Sequence, residues 1–241
     1  MELVSPGCVS IDAAREAYDK ALQFSTKIGD DLKSAIITSN LCVAELHRGD
    51  FVSAVALGQR AVAIASNALT PRSVAIHLNL ASALLMGGDR EAAERAVSAA
   101  ERAIRSERSW TTNMEFLLGY ACFALESGNV TLALQLTESA ERLAWRKERA
   151  VPNAGLFDKL RVYRLVHTSG PDSARPLVLE CQQKYRGRHP FFYLDSVACG
   201  AWLDRLSLGR YTAESESALT LFDKLGARGL RAILVAQGIL V

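Results

Sequence analysis

Aromatic side chains are scarce in this chain: Phe, Trp and Tyr together make up 7% of its 241 residues. Proline is scarcer still, with six residues. β-Sheets draw on aromatic and β-branched side chains for their packing, and stiff interdomain spacers need far more proline. This composition favours close helix–helix packing over β-sheet, and the length admits one large domain or two small ones. Lys and Arg total 28 against 26 Asp and Glu, a formal net charge of +2. A balance so close to zero excludes nucleic-acid attraction as a property of the whole surface. No apolar run reaches the roughly 18–20 residues that a membrane-spanning helix needs. No basic-then-apolar leader opens the chain, so neither a secretory signal nor a membrane span is predicted, and the expected location is cytoplasmic. The five cysteines, Cys8, Cys42, Cys122, Cys181 and Cys199, are odd in number and widely spaced. Without a C-x-x-C pair or a Cys/His cluster, they read as small buried thiols in a reducing cytosol.

Signatures of catalysis are missing as well. There is no GxxxxGK[ST] phosphate loop, no HExxH and no GxSxG. The four histidines, His47, His77, His167 and His189, lie on different repeats, and none stands four positions from another metal-ligating side chain on a metal spacing. The expectation is a non-enzymatic protein with no metal and no cofactor.

What the chain does have is alanine, leucine and a period. Apolar and small residues recur at i, i+3, i+4 and i+7 along almost its whole length, the helical signature. The breaks are short and carry Gly, Asp, Asn or Pro. Helices are predicted over 10–28, 31–48, 51–68, 72–87, 89–107, 110–127, 130–148, 153–169, 172–187, 190–207, 210–226 and 228–240, with no strand. Such short connections force neighbouring helices to run antiparallel. A glycine followed by Asp or Asn recurs, with alanine five positions after the glycine: Gly49-Asp50 and Ala54, Gly88-Asp89 and Ala93, Gly128-Asn129 and Ala133. The second helix of each hairpin shares one frame of small residues: Ala14, Tyr18, Ala21; Ala54, Gly58, Ala61; Ala93, Val97, Ala100; Ala133, Thr137, Ala140. Small side chains at these places let one hairpin nest against the next. The fifth and sixth repeats depart from the pattern, and Trp202 falls there where a small residue is expected.

This pattern resembles the tetratricopeptide repeat. Leu41-Cys42, Leu80-Ala81 and Tyr120-Ala121 match the paired positions of its first helix, and Gly49-Asp50-Phe51 matches the turn before its second. Leu208-Gly209-Arg210-Tyr211 matches that turn loosely. The period here is about 40 residues rather than the usual roughly 34. The resemblance implies an all-α fold: a right-handed superhelical solenoid of antiparallel helical hairpins, about 12 helices, filling residues 1–241 as a single domain. That domain is expected to begin mid-repeat and to end with an unpaired helix, 228–240, packed on the sixth repeat or on something beyond the chain. Longer repeats of this kind are similar to the sensor region of bacterial LuxR-type, maltose-activator-like ATP-dependent regulators, and Leu225-Gly-Ala-Arg228 resembles the closing phrase of such regions.

In a solenoid of this type the first helix of each hairpin lines the concave side. Asn40 and Asn79 occupy the same site in consecutive hairpins; the resemblance implies that such amides grip a peptide backbone, since an amide both donates and accepts. The alternative is two polar residues meeting solvent or a neighbouring helix. The same mapping sends Ile36, Val43, Leu46, His47, Leu78, Ser82, Leu85, Met86, Leu118, Cys122 and Leu125 toward the groove, or else into core between repeats. Residues 142–188 hold 11 Lys/Arg against 4 Asp/Glu. Arg142, Arg146, Lys147, Arg149, Arg161 and Arg164 therefore form a possible surface for an acidic partner. Two functions follow: a scaffold that binds a protein or peptide segment in its groove, or the effector-sensing region of a transcription regulator that binds a small molecule in signalling. Self-association through the chain's ends is a third arrangement. Nucleic-acid and membrane binding are not expected of this chain.

Overall fold

The computed structural model describes residues 10–68, 73–105, 109–147 and 151–241. Among these residues the chain is all-α, with no strand. Its helices are α1 (Ile11–Lys27), α2 (Asp31–Arg48), α3 (Phe51–Ala68), α4 (Ser73–Met86), α5 (Arg90–Ile104), α6 (Trp110–Glu126), α7 (Val130–Lys147), α8 (Ala154–Ser169), α9 (Pro171–Tyr185), α10 (Pro190–Leu208), α11 (Ala213–Leu219), α12 (Leu221–Lys224) and α13 (Arg228–Ala236). The helix predicted over 210–226 is in fact α11 and α12, broken at Thr220. There the Thr220 hydroxyl donates to the Ser217 carbonyl at 2.7 Å, a local bond that competes with the helical ladder.

The recurring Gly-Asp/Asn step has a mechanical basis. Gly49, Gly88 and Gly128 all adopt left-handed φ, at 94°, 91° and 82°. This conformation reverses the chain after a helix and is open to glycine without strain. The next residue caps the following helix: Asp50, Asp89 and Asn129 accept from the backbone N–H groups of Ser53, Ala92 and Leu132 at 3.0, 2.9 and 3.1 Å. One dipeptide thus ends one helix and begins the next.

Hairpins form between α2 and α3, α4 and α5, α6 and α7, and α8 and α9. The first helices α2, α4, α6, α8 and α10 stack side by side. The frame of small residues lies between the layers: Ala54, Ala61, Ala93, Ala100 and Ala140 are fully buried. A Cβ added at Gly58 would stand 2.9 Å from Leu80 Cδ1, so glycine is what admits the Leu80 side chain there. Trp202 is also buried, and its ring stacks on Tyr163 of α8 with centroids 5.1 Å apart. The indole is thus packed between α8 and α10. Cys42, Cys122, Cys181 and Cys199 are free, buried thiols; Cys8 lies outside the described residues.

The last helix does not stand alone at an end. Besides meeting α12, α13 packs on α2 and α6, so the chain returns to its own first hairpins. Gly229 lies against the Gly49 turn: a Cβ placed on it would fall 1.9 Å from the Leu46 carbonyl oxygen and 2.4 Å from the Gly49 nitrogen. Ile233 joins Cys42, Leu46, Ala54 and Ala83 in one buried cluster. Near this junction the Ile11 N–H donates to the Leu225 carbonyl at 3.3 Å, joining the start of α1 to the end of α12. Among the described residues no helix is long and apolar enough to cross a membrane.

Candidate ligand-binding cavity

The first helices carry their inward residues on a shared register. Asn40, Val43 and His47 follow one another at i, i+3 and i+7 on α2, one face of the helix. Asn79 and Ser82 repeat the first two sites on α4, and Gly119, Cys122 and Glu126 repeat all three on α6. These residues meet Leu156 and Lys159 of α8, Phe191, Phe192 and Asp195 of α10, and Leu230, Ile233 and Gln237 of the returning C-terminal segment. Together they surround a cavity of about 400 Å³, within the size range of small-molecule sites.

Its walls are apolar and its fittings polar. Lys159 and Asp195 are both buried and form an ion pair at 3.5 Å. Burial works against the Lys159 ammonium, yet Asp195, with Cys122, Cys199 and Glu126 around it, holds the group above the ordinary lysine range. Gln237 Nε2 donates to Glu126 Oε1 at 3.2 Å, which ties the end of α13 to α6. Burial raises the Glu126 carboxyl, opposed by the Ser82 hydroxyl, Lys159 and Gln237. Burial also pushes the Cys122 thiol up to about 12. His47 packs on the Phe191 ring, with centroids 5.5 Å apart. Burial, aided by the Lys159 charge, lowers its imidazole to about 4. At neutral pH the cavity therefore presents a neutral imidazole, an un-ionised thiol and a pinned ammonium.

The lowered His47 has a consequence for stability. An unfolded histidine takes up its proton near pH 6.5, whereas the folded one resists until about pH 4. Between those values the unfolded state binds more protons, so His47 subtracts stability as pH falls. Thermal denaturation at pH 7 and pH 5 should show the midpoint of the wild-type chain dropping further than that of His47→Gln.

Of the residues singled out from the sequence, Asn40, Asn79, Val43, His47, Ser82 and Cys122 do line the cavity. Met86 does not; it packs against the buried cluster of Cys42, Leu46, Ala54, Ala83 and Ile233. Leu118 and Leu125 are buried core, so the face predicted as groove divides between cavity and inter-repeat packing. The two asparagines also differ. Asn79 Nδ2 donates to the Ser39 hydroxyl at 2.9 Å across the α2–α4 contact, which gives its amide a structural task. His167 does not join His47; it packs beside Tyr163 and Trp202.

The described part of the basic surface is paired from within. Arg142 pairs with Glu138, Arg161 and Arg164 both reach Glu141, and Lys184 holds Asp158 at 2.8 Å. Arg149 and the side chains of Arg146 and Lys147 lie outside the described residues. Among the described residues no group of His, Cys, Asp and Glu is arranged to hold a metal ion.

Sequence reasoning missed Glu126, Lys159, Asp195 and Gln237. A signal existed for two of them. Glu126 stands one 40-residue step after Met86, which itself stands one step after His47, and Lys159 stands one step after Gly119. Comparison with protein-family models, curated proteins and solved structures gives no match to this chain.

Proposed function

We propose that this chain is a non-enzymatic, tetratricopeptide-like binding domain whose concave interior receives a small molecule, as the effector-sensing part of a cytoplasmic regulator does. The observation that carries the reading is the return of α13. It packs on α2 and α6, and its Leu230 and Ile233 line the cavity. A groove spanned in this way is short and walled. It suits a compact ligand, whereas a long extended peptide requires an open channel.

The second reading, a protein or peptide scaffold, has one specific support. The groove face of α2 accepts an apolar helix, since α13 is one; a partner helix of like pattern competes for the same seat.

A metabolite panel followed by thermal denaturation tests the first reading. A ligand that binds the folded chain raises its melting temperature. The expected result is at least one small molecule that does so at millimolar concentration. Asn40→Ala should weaken that ligand about 5- to 10-fold, the worth of one hydrogen bond. The same substitution should leave the ligand-free midpoint nearly unchanged. If no small molecule raises the midpoint while a helical peptide binds, the scaffold reading takes its place.

A further inference from the structure

The cavity's charges do not cancel. Lys159 is matched by Asp195 at 3.5 Å. Glu126 is a second carboxylate on the same wall, and His47 is held neutral. The hydrogen bonds do not close either. Gln237 is 2% exposed, and its Nε2 is committed to Glu126 Oε1. That leaves Gln237 Oε1 and Glu126 Oε2 buried without any hydrogen-bond partner. Both are acceptors. A buried acceptor left unmet costs about 1–3 kcal/mol, and more when it is charged, so a ligand that fills these two positions must donate and should be positive.

Resting on the small-molecule reading above, we propose that the ligand is a monocation: a primary ammonium on an apolar body. Its N–H groups bridge Glu126 Oε2 and Gln237 Oε1 once those two side chains turn toward the cavity, and its body lies against Leu78, Leu156 and Phe191. An ammonium carries three donors and no acceptor, which fits two orphaned acceptors, one of them on a carboxyl that a bound cation would keep ionised. A carboxylate ligand meets the opposite situation. It would add a negative charge beside Glu126 and compete with Asp195 for Lys159.

The test uses three probes that share one body, 3-phenylpropylamine, 3-phenylpropan-1-ol and 3-phenylpropanoate, titrated calorimetrically into the full chain and into Glu126→Gln. The amine is expected to bind about tenfold or more tighter than the alcohol, the ratio of one charge-assisted hydrogen bond, and the carboxylate to bind weakest. Glu126→Gln should reduce the amine to the level of the alcohol while leaving the alcohol within about twofold. Gln237→Glu, which adds a second carboxylate, should widen the amine's advantage and serves where the first variant folds poorly. Equal binding of amine and alcohol, tighter binding of the carboxylate, or an amine advantage that survives in Glu126→Gln overturns the proposal but leaves a small-molecule interior standing. Failure of all three probes to bind at millimolar concentration overturns the proposal, while the metabolite panel decides the small-molecule reading separately.

Discussion

Gly229→Ala is expected to undock the C-terminal helix and open the cavity. At a helical position free of neighbours, this substitution stabilises by about 1 kcal/mol, because alanine gives up less backbone freedom than glycine. Gly229 is a helical residue, so propensity alone predicts that sign. Packing predicts the reverse. The new methyl would stand 1.9 Å from the Leu46 carbonyl oxygen and 2.8 Å from the Gly49 Cα, and both are backbone atoms at a turn that cannot yield as a flexible side chain does. The helix must move away by about 1 Å or more to bring that contact to an ordinary distance. That motion breaks the contacts of Leu230, Ile233 and Leu234, all nearly fully buried. Each is worth about 1.5–3 kcal/mol when removed from water, so the expected loss is about 3 kcal/mol or more, at the upper end for overpacking. Thermal or urea unfolding measures it. Amide exchange over 228–240 should lose protection before the α4–α6 core does. A stabilised variant would mean that the Gly49–Gly229 approach contributes nothing to holding α13.

The second large effect concerns Lys159. Lys159→Met should destabilise the chain by about 3–5 kcal/mol, the usual result of leaving a buried charge without its partner. The residue is 6% exposed and Asp195 is 7% exposed, so water can do little for the carboxylate that remains. Glu126, whose carboxyl burial already raises, loses a cation at the same moment. Adding Asp195→Leu should recover most of the loss, because replacing both members of a buried pair is often near neutral. The pH dependence gives an independent check. In Lys159→Met the folded Asp195 and Glu126 carboxyls sit above their unfolded values. The penalty is then full at neutral pH and shrinks as pH falls through the folded values, where the folded chain takes up the extra protons. Urea unfolding of single and double variants at pH 7 and pH 5 measures both effects. A Lys159→Met variant as stable as wild type at pH 7 would refute a structural ion pair.

Much of this architecture was legible in the sequence because it is local and repeated. The Gly-Asp/Asn steps mark turns whose φ values and caps are set by adjacent residues, and the alanine frame marks where helices touch. The inward sites at Asn40, Val43 and His47 followed from helical spacing. Carrying the same step one repeat further reaches Glu126 and Lys159, although their side chains differ in character from Met86 and Gly119. Asp195 and Gln237 had no such signal. Asp195 stands two 40-residue steps after Glu115, but Gly155 interrupts the series, and Gln237 meets Glu126 only because the chain closes on itself. That closure depends on Gly229, one glycine among 16; nothing in its neighbours distinguishes it, since its contact is with Gly49 across the fold. The arginines show the converse. Their clustering in sequence suggested a surface, but Glu138 and Glu141 already occupy several of them.

The return of α13 also changes how such a chain acquires and loses its structure. In an open array each unit touches only its neighbours, so either end frays alone and stability is a sum of local terms. Here the Gln237–Glu126 bond joins positions 111 residues apart, and the Ile11–Leu225 bond ties the start of α1 to the end of α12. The entropic cost of closing so long a loop rises only logarithmically with its length, but non-local pairings form late. During synthesis the early hairpins therefore wait, half-covered, for a helix made after all of them. Once that helix seats, the ends gain protection together, and melting should follow one sharp transition in which the calorimetric and van't Hoff enthalpies agree.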